Sequence, residues 1–239
     1  SARHLLPLAL TALGVVLGFP LFSSLAMRGA SASHGAVIVG LLPFATVVAA
    51  TLFGGERPSR WFWVAALAGS VVVVAFALHA GGGSFAWSDW AMLAAVAAGA
   101  LGYATGGKLA RELGGWQTIA WALLLAAPIL LVPCVWLTVR EPLAHASLAA
   151  WAGFAYVTVF SQFLGFFFWY GGMAIGGVAR VSQVQLLQLF FTLAFSWWLL
   201  DEPVGPATWL AGMAVVALIA LGRRAGVRAA ATKRMTEGV

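Results

Sequence analysis

Apolar residues run along this chain in long, almost uninterrupted blocks. Eight blocks, near residues 4–26, 34–54, 61–79, 88–107, 115–138, 148–174, 181–200 and 207–222, approach the length of a membrane-crossing helix. About 20 residues suffice to span about 30 Å of hydrocarbon. The breaks between blocks combine charge with Gly or Pro: "GGERPSR", "HAGGGS", "ELGGW", "REPLAH" and "DEPVGP". The pattern predicts an all-α polytopic membrane protein with eight visible transmembrane helices.

Composition agrees, since 62% of the 239 residues are hydrophobic and 8% charged, against roughly 25% charged in soluble domains. The net charge of +6 therefore bears on orientation in a bilayer, not on nucleic acid. Alternating the eight blocks puts eleven of the thirteen basic residues on one face and leaves Arg28 and Arg140 on the other. That bias reads as cytoplasmic for both visible termini, in the inner (plasma) membrane. The single cysteine, Cys134, excludes a disulfide framework and a Cys-based metal site.

Two stretches resemble each other. "GFPLFSSLAMRGASASHGAVIVGLLPFATVVAATLFGGERPSRW" and "GFFFWYGGMAIGGVARVSQVQLLQLFFTLAFSWWLLDEPVGPATW" share helix order, a Glu-bearing loop and a following tryptophan. Glu56 corresponds to Glu202 and Met27 to Met173, an offset of 146 residues. The topology puts the two glutamates on opposite faces, so the repeats are inverted, which is a signature of transporters with a midplane site between halves. The second repeat has five blocks and the first has three, so residues 1–82 are expected to be the last three helices of one repeat. Residues 83–222 form the second five-helix repeat, and 223–239 a basic cytoplasmic tail. A symmetric 5+5 arrangement has ten spans, which places two expected spans ahead of Ser1.

The motifs "SHGAVIVGLLPFATVVA", "GERPS", "LARELGGWQ" and "SQFLGFFFWYGGMAIGGVARVSQVQLLQ" resemble the drug/metabolite transporter superfamily. The resemblance is to its ten-helix EamA-type members and, among these, to amino-acid exporters of the YddG type. It implies a ten-helix inverted-repeat fold and export of amino acids or related metabolites through a central cavity by alternating access. Two departures stand out: Leu189 is the mate of Pro43 where relatives usually have proline, and Gly171 follows "WY" where many carry arginine.

The candidate substrate residues come from polar positions inside apolar blocks. At 100° per residue Gln185, Gln188, Thr192 and Ser196 share a face about 80° wide, while Gln183 points toward Arg180. Such a stripe turns inward, either to line a wet cavity or to serve as interhelical glue. Gln162, Phe166, Trp169 and Met173 share a face on the preceding block. Trp169 and Tyr170 read either as cavity wall or as interfacial anchors, and Tyr103 as cavity wall or core. His34 and Ser31 open the second block as interfacial donors or ligands. Pro20 and Pro43 are expected kinks and hinges; Glu56 and Glu202 are expected loop caps or gating contacts. Gly14 and Gly18, and Gly99, Gly102 and Gly106, read as close-packing faces.

No acidic residue is expected inside a span, which favours facilitative transport over proton coupling. No H-E-x-x-H, G-x-S-x-G or phosphate-loop motif is present, and the only lysines, Lys108 and Lys233, do not suit a retinal pump. The chain is therefore expected not to be an enzyme and to need no cofactor. Its expected partners are a small-molecule substrate and the lipid bilayer, with a monomer as the working state and a dimer as the alternative. Efflux of lipophilic drugs, or a non-transporting membrane scaffold, are the competing readings.

Overall fold

A computed structural model describes residues 2–54, 57–80, 85–140, 146–182, 185–224 and 227–228. Glu56 and Gln183, and most of the basic tail, lie outside the described residues. The elements are α1 (Leu5–Ala26), α2 in two segments (Ala32–Val39 and Leu42–Gly54), α3 (Arg60–Ala80), α4 (Trp87–Leu113) and α5 (Gly115–Arg140). They continue as α6 (Leu148–Gly176), α7 (Val178–Ser182), α8 (Leu186–Leu199) and α9 (Pro206–Arg224). The only strand pairing among the described residues joins Arg57–Pro58 antiparallel to Val227–Arg228.

This is an all-α polytopic membrane protein, though the expected helix count is met only in part. Among the described residues five helices, α1, α2, α4, α5 and α6, are long and apolar enough to cross a bilayer. The apolar stretches Trp63–Phe76, Gln188–Leu199 and Pro206–Leu218 are shorter. Within the block at 181–200 the described residues form the end of α7 and all of α8, with residues 183–184 outside the description. The block at 88–107 runs on to Leu113, where Gly114 at φ +94° ends it. Lys108 does not stop α4, because its long stem carries the ammonium out to the Phe53 carbonyl at 3.2 Å.

The interior is built from small residues, as expected where lipid is as apolar as leucine and helices associate through close packing. A Cβ on Gly14 would lie 2.6 Å from the Ala98 carbonyl and from Gly102 Cα, and one on Gly18 2.8 Å from Ala98 Cβ. The glycine faces of α1 and α4 therefore meet each other backbone to backbone. Large apolar side chains such as Leu148, Phe168, Trp197 and Trp198 are exposed, the arrangement a bilayer requires. Pro128 and Pro133 sit inside α5, as membrane helices tolerate.

α1 and α6 share a local irregularity. α1 is π-helical over Ala12–Gly18 and α6 over Val157–Leu164, nearly the same repeat position under the 146-residue offset. Phe19 N–H donates to Gly14 O, and Gly165 N–H to Phe160 O. In α1 the cause is local: Pro20 has no N–H, and its ring crowds the preceding turn. α2 breaks at Gly40–Leu41, immediately before Pro43, and the mate residue Leu189 packs there, 3.5 Å from a Cβ built on Gly40. The first segment of α2 packs on α8, its second on α7, and α3 packs on α9.

The bundle has two chemically distinct ends. One gathers Arg3, His4, Phe53, Lys108 and Glu112, where His4 Nε2 and Arg3 Nη2 lie 3.1 and 3.7 Å from Glu112 Oε2. The other gathers Ser31–His34, Ala86–Asp89 and Glu202.

Candidate functional site

A cavity of about 260 Å³ opens among α1, α4, α6 and the start of α8. Val15 and Phe19 come from α1 and Tyr103 from α4. Ser161, Gln162, Gly165, Phe166 and Trp169 come from α6, Gln185 from the N-cap of α8 and Gln188 from its first turn. Both π-helical segments border it. An i→i+5 turn widens a helix locally and turns the following side chains, and such segments recur at functional sites. Here they hand over from Val15 to Phe19 and from Ser161 and Gln162 to Gly165 and Phe166.

The wall is aromatic on one side and amide on the other. The Tyr103 ring lies 6.0 Å from Phe166 and 5.7 Å from Trp169, centroid to centroid. The Tyr103 hydroxyl is hydrogen-bonded with the Gln185 side chain. Gln185 Oε1 and Trp169 Nε1 are buried and without a partner among the described residues. The structure thus brings Gln162, Gln185, Gln188, Trp169 and Tyr103 to one surface.

It places the other candidates elsewhere. Tyr170 is fully buried and donates its hydroxyl to the Gly102 carbonyl at 3.0 Å, so it sits in the α4–α6 core, not in the cavity wall. One residue on from Trp169 is a 100° turn of the helix, which is why the two cannot face the same space. Met173 is likewise a core residue at 0% exposure. Thr192 borders a small cleft with Ala36, Val39 and Gly40, and Ser196 is buried.

Ser31 and His34 belong to the far end of the bundle. Ser31 is the N-cap of α2, its hydroxyl accepting from His34 N–H at 3.2 Å. The His34 Nε2–H donates to Asp89 Oδ1 at 2.6 Å, and Phe76 lies against the imidazole at 5.3 Å. The expectation of no acidic residue within a span therefore needs correcting. Asp89 lies in the first turn of α4, 1% exposed, and its other oxygen accepts from Ala86 N–H at 2.9 Å. It enters the interior because a first-turn carboxylate satisfies the amides of its own helix while His34 occupies the remaining oxygen.

Glu202, in the loop before α9, reaches across to the start of α2. Its two oxygens accept from Ala32 N–H and Ser33 N–H, each at 2.9 Å. With His34 N–H on Ser31 Oγ, the otherwise unpaired amides of Ala32, Ser33 and His34 are all satisfied, and Gly35 N–H on the Ser31 carbonyl at 3.0 Å starts the helical ladder. Asp201, at φ +50°, turns the chain so that Glu202 N–H bonds back to the Ser196 carbonyl at 3.1 Å. Burial works against the charge on Glu202. The Ser33 and Ala32 amides and the Ser33 hydroxyl outweigh it, and hold the carboxyl below its usual pKa.

A second cavity of about 320 Å³ lies at the charged end, lined by Arg3, His4, Phe53, Thr105, Lys108 and Glu112 among others. Its charged groups already satisfy one another or the Phe53 carbonyl. The first cavity is where polar atoms stand ready without partners, and it is the candidate site.

A helical membrane bundle with an amide-and-aromatic cavity among its helices suits a secondary transporter. Residues 86–222 match the model of the EamA-like transporter family. Over 224 residues, 94% of this chain and 78% of the relative, the sequence is 45% identical to an uncharacterized transporter, YdeK, of Bacillus subtilis (strain 168). The chain belongs to the EamA-like transporter family of the drug/metabolite transporter superfamily. One solved crystal structure shares the fold with a TM-score of 0.56, at 19% identity over 89% of this chain and 76% of its own.

Val15, Phe19, Ser161 and Gly165 are wall residues that sequence reasoning did not single out. Apolar and small side chains in a membrane helix look alike whether they face lipid, core or cavity. The signal that does exist is Pro20, whose neighbourhood carries the first π segment.

Proposed function

We propose that this transporter exports amino acids or related small amphipathic metabolites through the cavity between its inverted repeats, by alternating access. The observation that carries the reading is the convergence of Gln162, Gln185 and Gln188 with Tyr103, Phe166 and Trp169 around one cavity. Amides bind a polar head, while rings accept an apolar side chain. Drug-sized sites measure about 300–1,000 Å³, so a cavity of about 260 Å³ favours small metabolites over lipophilic drugs.

Transport is facilitative in this reading, because no carboxylate lines the cavity among the described residues. Asp89, buried near α4's start, is already engaged by His34 and Ala86. The protein works as a monomer in the inner membrane, with the Arg3–Glu112 end of the bundle cytoplasmic, following the Lys/Arg bias.

Uptake of a labelled amino-acid panel into proteoliposomes holding the complete protein, with and without a pH gradient, tests this. Carriage of at least one amino acid, unaltered by the pH gradient, is expected. No carriage of any amino acid would refute the substrate class, and gradient-dependent carriage would refute the facilitative mechanism.

A further inference from the structure

Among the described residues, three buried side-chain polar atoms have no hydrogen-bond partner: Gln117 Oε1, Trp169 Nε1 and Gln185 Oε1. Gln117 lies against Gly114 at the turn between α4 and α5 and does not line the cavity. The other two do. They are opposite in kind: an indole N–H can only donate, and an amide oxygen can only accept.

Both also flank one ring. Trp169 lies 5.7 Å from Tyr103 between centroids, and Gln185 is hydrogen-bonded with the Tyr103 side chain. A donor and an acceptor thus lie near a single phenol, each buried and each without a partner among the described residues. Buried polar groups are ordinarily paired, so two unpaired ones sharing a cavity indicate what a visiting molecule brings.

Charge narrows the class further. None of the ten described lining residues carries a formal charge. A solute with a net charge would leave its hydration behind and meet no counter-charge. A simple amine offers only donors and a simple carboxylate only acceptors. A zwitterionic α-amino acid and a primary amide each offer both, with no net charge.

We propose that this cavity selects solutes of zero net charge whose polar head carries both an acceptor, bound by Trp169 Nε1–H, and a donor, bound by Gln185 Oε1. The apolar tail lies along Phe166 and Phe19. The proposal rests on the cavity being the solute site. It goes beyond that reading by fixing which two atoms sort the solutes and which compounds they reject.

The test uses four probes with one branched tail: leucine, 4-methylpentanamide, isoamylamine and 4-methylpentanoate. Binding to the purified complete protein at pH 7 is read from ligand-dependent thermal stabilisation, which follows free ligand over Kd. Leucine and the amide are expected to bind at least tenfold more tightly than the amine and the acid. Trp169→Phe keeps the ring and removes the donor, and is expected to weaken leucine and the amide about tenfold. Gln185→Glu is expected to tighten isoamylamine at least tenfold while weakening 4-methylpentanoate, a gain that mere loss of folding cannot produce. Binding of none of the four, equal binding of charged and neutral probes, or unchanged ratios in both variants would overturn the proposal. Selective binding without carriage in proteoliposomes would instead overturn the transport reading and leave this selectivity standing.

Discussion

Gly106→Ala isolates the contact that holds α4 against α6. A Cβ at Gly106 would stand 2.5 Å from Cε1, Cζ and Oη of Tyr170, where carbon atoms rest at about 3.5–4.0 Å. The ring has nowhere easy to go. It is fully buried, Phe166 lies 5.7 Å from its centroid, and its hydroxyl is tied to the Gly102 carbonyl at 3.0 Å. Relief requires moving the phenol by about 1 Å or separating the helices. Overpacking of this kind costs about 1–3 kcal/mol, and stranding the buried hydroxyl a further 1–3 kcal/mol or so. Alanine recovers about 1 kcal/mol over glycine as a helix former, leaving a net loss of about 3 kcal/mol. On the scaling of about 2–4 °C per kcal/mol for chains of this length, the melting midpoint of purified protein falls by about 6–12 °C. Tyr170→Leu removes the phenol, so the double variant Gly106→Ala/Tyr170→Leu should melt above the value that adding the two single effects gives. A Gly106→Ala protein that melts within about 2 °C of the unaltered one, or strict additivity in the cycle, would refute the packing argument.

Three further outcomes are expected. Glu202→Gln removes the charge that caps α2 and, because this group is partly exposed, should destabilise by about 1 kcal/mol. The Glu202 carboxyl is held below its ordinary value of 4.5, so its contribution is complete above that pH and fades as pH falls through the lower folded-state value. Melting followed down from pH 7 should therefore show the gap between Glu202→Gln and the unaltered protein narrowing only at pH below 4.5. His34→Ala strips a partner from the buried Asp89 carboxylate and should cost about 2 kcal/mol, with Asp89→Ala costing more because the Ala86 amide is also orphaned; equal melting of all three proteins would show the pair to be idle. Gln188→Ala and Gln185→Ala should lower transport while leaving the amount of protein in the membrane unchanged, and loss of the protein itself would identify these amides as interhelical glue.

Much of the cavity wall was legible in the sequence, because polar residues in an apolar medium have few reasons to be there. Gln162, Gln185 and Gln188 stood out for that reason, and helical spacing joined Trp169 and Phe166 to them. Tyr170 was misread by adjacency to Trp169 where the 100° step already separated the two. The far-end contacts were invisible for another reason. His34 and Asp89 are 55 residues apart and Glu202 is 170 residues from Ala32, and no local pattern encodes such pairings. Asp89, at the edge of the block at 88–107, was not counted inside it, since a carboxylate in a helix's first turn has the same sequence signature whether wet or buried.

The carboxylate that caps α2 also sets a schedule. A ribosome adding about 5–20 residues per second makes Glu202 roughly 10–30 s after Ala32, given the 170 residues between them. Through that interval the first amides of α2 must make do with Ser31 and water. The start of α2 cannot reach its finished form until Glu202 has been made, so its maturation in the membrane is timed by the arrival of one distant side chain.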